Sequence, residues 1–86
     1  MSEAIAPKIQ VVARSPFHVF YEGPAYSLSA SNKVGAFDIL PGHADFFSML
    51  TKCDVVIDTD DEQVTFEAYN GMLTVRNDSV MLFVNM

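Results

Sequence analysis

Apolar residues return at every second position through most of this chain, and no window long enough to trust shows the spacing of a helix. Ile9, Val11 and Ala13 alternate with Gln10, Val12 and Arg14. From Ala25 to Ala30, Tyr26, Leu28 and Ala30 alternate with Ala25, Ser27 and Ser29, and Cys53, Val55 and Ile57 alternate with Asp54, Val56 and Asp58. Val64, Phe66 and Ala68 stand against Thr65, Glu67 and Tyr69. Side chains two apart share a face of an extended strand, so each run reads as a strand with one buried face. Ser15-Pro16, Gly23-Pro24, Ser31-Asn32-Lys33, Pro41-Gly42, Thr59 to Glu62 and Asn77-Asp78 punctuate the runs. Turn signals every ~8–12 residues, with about nine to ten short strands, are the spacing of a sandwich or barrel. The expected fold is all-β: one small two-layer β-sandwich, or flattened barrel, over residues 1–86. Residues 1–7 form a loose leader ending at Pro7.

Size sets how much of this can be buried. A chain of 86 residues hides roughly 60% of its unfolded surface, enough for a single core. Half the residues are apolar and 19% are charged, so disorder is excluded. The net charge is −6, and the five basic residues, Lys8, Arg14, Lys33, Lys52 and Arg76, form no linear patch. Neither nucleic acid nor an anionic membrane surface suits such a chain. No apolar run approaches the ~20 residues of a membrane span, so direct insertion is not expected. The first residues lack the basic and apolar regions of a secretory signal. The single Cys53 allows no internal disulfide and fits a reducing compartment. A cytoplasmic protein is expected.

Asn70-Gly71 is open to two readings, a tight hairpin turn or a bend that carries the chain between sheets. Between Gly35 and Leu50, two apolar arms flank Pro41-Gly42. Proline fixes its own φ and pushes Leu40 towards extended geometry. Gly42 can take a positive φ, so the chain turns sharply and presents His43, Ala44 and Asp45 on a supported bend. Phe46, Ser48 and Leu50 face one way along the second arm, and Phe47, Met49 and Thr51 the other. Both faces are largely apolar, the pattern of a strand covered twice.

Chemistry is sparse. His43 and Asp45 lie two apart, but general-base work needs a nucleophile, and Ser48 has no G-x-S-x-G context. A turn histidine, solvated or bonded to backbone, is the better reading. His18, His43 and Cys53 lack metal-ligand spacing. Asp58, Asp60 and Glu62 alternate as in a calcium loop, yet Gln63 and Tyr69 stand where Gly and Glu are needed. No phosphate-gripping G-x-x-x-x-G-K is present. No catalytic, cofactor or metal site is expected. The last strand says more. Val80, Leu82 and Val84 form one apolar face, while Met81 and Phe83 are apolar on the opposite one. Either the leader or a loop covers that second face, or it waits for a partner.

Asp38-Ile39-Leu40-Pro41-Gly42-His43-Ala44 with its apolar arm resembles the G-I-L-P-G-H-A-P-L-L motif of the epsilon subunit of the F-type ATP synthase. Tyr69 to Val84 resembles that family's later G-G-F-L-E-V run. The resemblance implies the family's β-sandwich domain, a non-catalytic rotor part at the foot of the central stalk. It implies a gamma subunit on one side and the polar loops of the membrane c-ring at one end, coupling ring rotation to ATP synthesis. The chain would then be held peripherally at the cytoplasmic face of a membrane through the complex. By that resemblance Ser15, Pro41, Gly42 and His43 face the c-ring, and Met81 and Phe83 are candidates for the gamma contact. Here Gly71 is the second residue of the family's Gly-Gly bend between two sheets, with Asn70 in place of the first. Ala36 stands where the family often has a Glu that belongs to the ring contact, and Asp45 replaces a Pro. The family's C-terminal helical hairpin has no counterpart in these residues, so no inhibitory arm is expected. The competing reading is a free-standing β-sandwich interaction module.

Overall fold

The computed structural model describes residues 7–86, and it is built of nine strands with no helix among them. The strands are β1 (Ile9–Arg14), β2 (Val19–Ala25), β3 (Ser27–Asn32), β4 (Gly35–Ile39), β5 (Phe46–Leu50), β6 (Cys53–Asp58), β7 (Gln63–Ala68), β8 (Gly71–Arg76) and β9 (Ser79–Val84). Two sheets form, in the orders β2-β1-β9-β8-β5 and β4-β3-β6-β7. The expected leader, apart from exposed Pro7, lies outside the described residues.

The alternation becomes the core directly. Ile9, Val11, Leu73, Val75, Val80, Leu82 and Val84 project inward from the five-stranded sheet. Leu28, Ile39, Val55 and Ile57 meet them from the four-stranded one. β6 and β7 pair as a hairpin with Val55 opposite Phe66 and Ile57 opposite Val64. Thr59 Oγ1 closes its turn, donating to the Glu62 carbonyl at 2.5 Å and accepting the Glu62 amide at 3.1 Å. Asn70-Gly71 carries the chain from β7 in one sheet to β8 in the other, so of the two readings the bend between sheets is found. A Cβ on Gly71 would lie 3.1 Å from Leu50 and Val84 side-chain carbons and 3.2 Å from the Phe83 carbonyl.

Two expectations are corrected. Gly23-Pro24 does not end a strand: both residues lie inside β2, paired with Val11 and Gln10. β2 is an edge strand, so a missing proline N–H need cost no ladder bond. Gly23 takes φ of 150°, where a side chain is rarely tolerated. β5 is not covered twice, for a two-layer sandwich covers one face of each strand. Ser48 and Leu50 point inward, and Phe47 and Met49 remain 58% and 57% exposed.

The flattened barrel has two seams where sheet edges meet. Phe20 of β2 stacks on Phe66 of β7 with centroids 4.1 Å apart and closes one. Phe37 of β4 meets Phe46 of β5 edge-on at 5.5 Å in the other. Further along that seam, buried Ser48 accepts a hydrogen bond from Asn32 Nδ2 at 3.0 Å. The Thr51 amide reaches the Ser31 carbonyl at 3.2 Å.

Candidate interaction surfaces

Strand register assembles a surface that no single segment shows. On the outer face of the five-stranded sheet, Val12 pairs with Met81, Met81 with Thr74 and Thr74 with Phe47. In the next row Arg14 pairs with Phe83, Phe83 with Met72 and Met72 with Met49. Neighbouring rows on a sheet face lie within side-chain reach, so Phe47, Met49, Met72, Met81 and Phe83 make one apolar patch across β5, β8 and β9. Met81 is 46% exposed and Met72 37%; Phe83 is half-buried beneath the Arg14 guanidinium, 5.9 Å from its ring centre. No described loop covers this face, and the leader lies outside the described residues. A sequence scan that treats β5 as fully buried misses Phe47 and Met49. The signal for Met72 was its place opposite Phe83 in the β8–β9 hairpin.

The opposite outer face has other chemistry. Asp38, Asp54, Asp58 and Glu67 are exposed there among Ser27, Ser29, Ser31 and Thr65. Ser29 Oγ donates to Asp38 Oδ1 at 2.6 Å. Asp54 stands directly across from Glu67.

Pro41, Gly42 and His43 form a tight turn at one end of the sandwich. Gly42 has φ of 83°, and its amide donates to Asp78 Oδ1 at 2.8 Å. The His43 amide donates to the Leu40 carbonyl at 3.1 Å, and Nδ1 donates to the Ala44 carbonyl at 2.8 Å. Its ring packs edge-on to Phe46 with centroids 5.3 Å apart. The turn histidine is therefore bonded to backbone. The same end holds the Asp60 carboxylate, which takes Lys8 Nζ at 2.5 Å and the Tyr26 hydroxyl. The hydrogen bond from Lys8 and then that from Tyr26 hold the Asp60 carboxyl below its ordinary range, and Lys8 rises in turn.

Ser15 lies at the other end. It follows Arg14, which pairs with Phe83 near the end of β9, whereas Asp78 precedes the start of β9. About six strand residues, roughly 20 Å, separate it from the Pro41–His43 turn. The structure therefore divides the four residues expected to face one ring: Pro41, Gly42 and His43 are together, and Ser15 is not. The Ser15 amide donates to the His18 carbonyl at 2.8 Å, shaping a β1–β2 loop whose Phe17 is 99% exposed. The β3–β4 turn is at the same end, with Val34 96% exposed and Ala36 just beyond it. Among the described residues, no group of three or more His, Cys, Asp and Glu is placed to hold a metal ion.

Residues 8–86 match the model of the ATP synthase delta/epsilon chain β-sandwich domain. No curated protein sequence matches the chain. A chain of the Euglena gracilis mitochondrial ATP synthase, solved by cryo-EM in rotational state 1, superposes with a TM-score of 0.82 at 13% identity. A chain from the central stalk and c-ring of the Tetrahymena thermophila mitochondrial ATP synthase gives 0.78 at 14%. Each alignment covers 96% of the present chain, but only 54% of the Euglena chain and 67% of the Tetrahymena one. The chain thus spans about half the length of the Euglena protein it matches. At these identities the likeness speaks for the fold, which is the expected all-β sandwich.

Proposed function

Because the chain belongs to the ATP synthase delta/epsilon family of β-sandwich domains, we propose that it is a non-catalytic rotor part of the central stalk. It links the c-ring to the gamma subunit and sits peripherally on the membrane through that complex. The observation that carries this reading is the apolar patch of Phe47, Met49, Met72, Met81 and Phe83 on the outer face of the five-stranded sheet. Burying such a patch releases water from apolar surface, and methionine adapts to the shape that covers it. The gamma subunit docks there, over roughly 800 Å² per partner.

The ring contact belongs at the Ser15 end. A single rigid body cannot present both ends of its strands to one ring surface. Ser15 and Ala36, two positions that the family resemblance ties to the ring, share that end with the bare tips of Phe17 and Val34. The Pro41–His43 turn, fixed by Asp78, then faces away from the ring and stiffens the sandwich.

Co-purification with the gamma subunit and c-ring of the same synthase tests both contacts. Wild type should hold both partners. Met72→Asp should lose gamma while keeping its fold by circular dichroism, and Phe17→Asp should keep gamma and weaken the ring. Folded wild type that binds neither partner overturns the rotor reading and leaves a free-standing interaction module.

A further inference from the structure

The β3–β4 hairpin turns on two residues, Lys33 and Val34, with Asn32 paired to Gly35. Two-residue turns that suit the twist of paired strands put one or both central residues at positive φ. Asn77 and Asp78 do so in the β8–β9 turn, at 50° and 61°. Lys33 and Val34 do not; the positive φ falls on Gly35 instead, at 141°. Such a turn is held from outside itself, and Asn32 holds it. Its Oδ1 accepts the Val34 amide at 2.8 Å and the Gly35 amide at 3.3 Å. Its Nδ2 donates across the seam to Ser48 Oγ, the one buried polar side chain among the described residues. One residue earlier, the Ser31 carbonyl accepts the Thr51 amide, which ties the same strand end to the turn between β5 and β6. Yet the side chain so displayed, Val34, is left almost wholly exposed. A clamp on a residue that the core does not use points outward, to a partner.

We propose that Asn32 is the positioning residue of the ring contact: it presents Val34, already ordered, to the surface that the Ser15 end meets. This rests on the ring reading above. Ordering a loop on binding costs affinity, and a loop held beforehand avoids that loss. Both ends of the Asn32 amide are used within the hairpin and the seam, so Asn32 acts through the turn and not by touching the ring. Ala36, next after Gly35 and paired with Ser31, is carried by the same hairpin, so the clamp places both residues at once.

Hydrogen exchange of the free full chain, together with its affinity for the purified c-ring of the same synthase, tests this. In Asn32→Ala the Val34 and Gly35 amides should exchange about tenfold faster, and ring affinity should fall about tenfold. Ser48→Ala, which removes only the anchor, should shift both in the same direction by about threefold. Val34→Ala should weaken ring binding on its own, and adding Asn32→Ala to it should cost less than about twofold more, because the two residues act as one. Ring affinity that Asn32→Ala leaves intact, or losses that add in the double variant, overturn the positioning role while the ring contact stands. Unchanged exchange at Val34 and Gly35 overturns the clamp. Absence of ring binding by folded wild type overturns the ring reading and this proposal together.

Discussion

Two single residues illustrate how little slack the sandwich has. Gly71 starts β8 beneath the ends of β5 and β9, and a methyl group there would press on the Phe83 carbonyl as well as on Leu50 and Val84. Side chains can give by a few tenths of an ångström, but that carbonyl belongs to a strand paired on both sides. Gly71→Ala should therefore destabilise by about 1–3 kcal/mol in urea unfolding, the usual cost of overpacking. Asp60 acts through charge instead. Its carboxyl lies below the reference value of 3.8 because Lys8 and Tyr26 hydrogen-bond the ionised form. A depressed folded value favours the folded chain wherever the unfolded Asp is ionised, and the gain disappears as pH falls through the folded value. The wild-type melting temperature should fall more steeply with acid below about pH 4 than that of Asp60→Asn. Equal slopes would mean that the Lys8 contact is not held in solution.

At the scale of the strand, β9 separates core from surface residue by residue. Leu82 is fully buried and Met81 is 46% exposed, although they are neighbours. Leu82→Ala should cost about 2–5 kcal/mol through lost burial and the cavity left behind. Met81→Ala should cost under about 1 kcal/mol in the isolated chain while weakening gamma binding. Denaturant midpoints and a pull-down on the same two variants separate the effects; equal losses of stability would place Met81 in the core. Strand alternation made such inward faces legible from sequence, as it did the β6–β7 hairpin, because both are local properties. The parallel pairing of β1 with β9 was not legible. Its partners, Gln10 with Ser79 through Arg14 with Phe83, come from opposite ends of the chain and leave no local mark. The extent of β2 is not legible for a related reason: Gly-Pro is a breaker inside a sheet but tolerable at an edge, and edge position is a property of the whole sheet. The methionine patch was half visible. Met81 and Phe83 stood out on β9, yet Met49, Met72 and Phe47 join them only through cross-strand register. Likewise family likeness groups Ser15 with His43, whereas strand direction sets them at opposite ends.

For the molecule as a whole, the two outer faces differ in kind, and this sets how each can bind. Outward positions of β1, β9, β8 and β5 hold no carboxylate; their charges are Arg14 and Arg76 at the margin, and Glu22 of edge strand β2 stands across from Val12. Seven of the eleven acidic residues lie on the other sheet, as Asp38, Asp54, Asp58 and Glu67, and in the turn of Asp60, Asp61 and Glu62. Most of the negative charge thus lies away from the paired rows of Met81, Met72 and Met49. Attraction between exposed charges is screened over about 8 Å at physiological ionic strength, whereas apolar burial is not. Binding of gamma to the methionine face should therefore change less than about threefold in affinity between 50 and 500 mM salt, with a negative heat-capacity change. Isothermal titration calorimetry across salt and temperature reads both. A tenfold or greater loss with salt would show that charge drives the contact and move it to the margin or the ends of the sandwich. A weak salt dependence with negative ΔCp, abolished in Met72→Asp, would tie the contact to the paired rows of β5, β8 and β9.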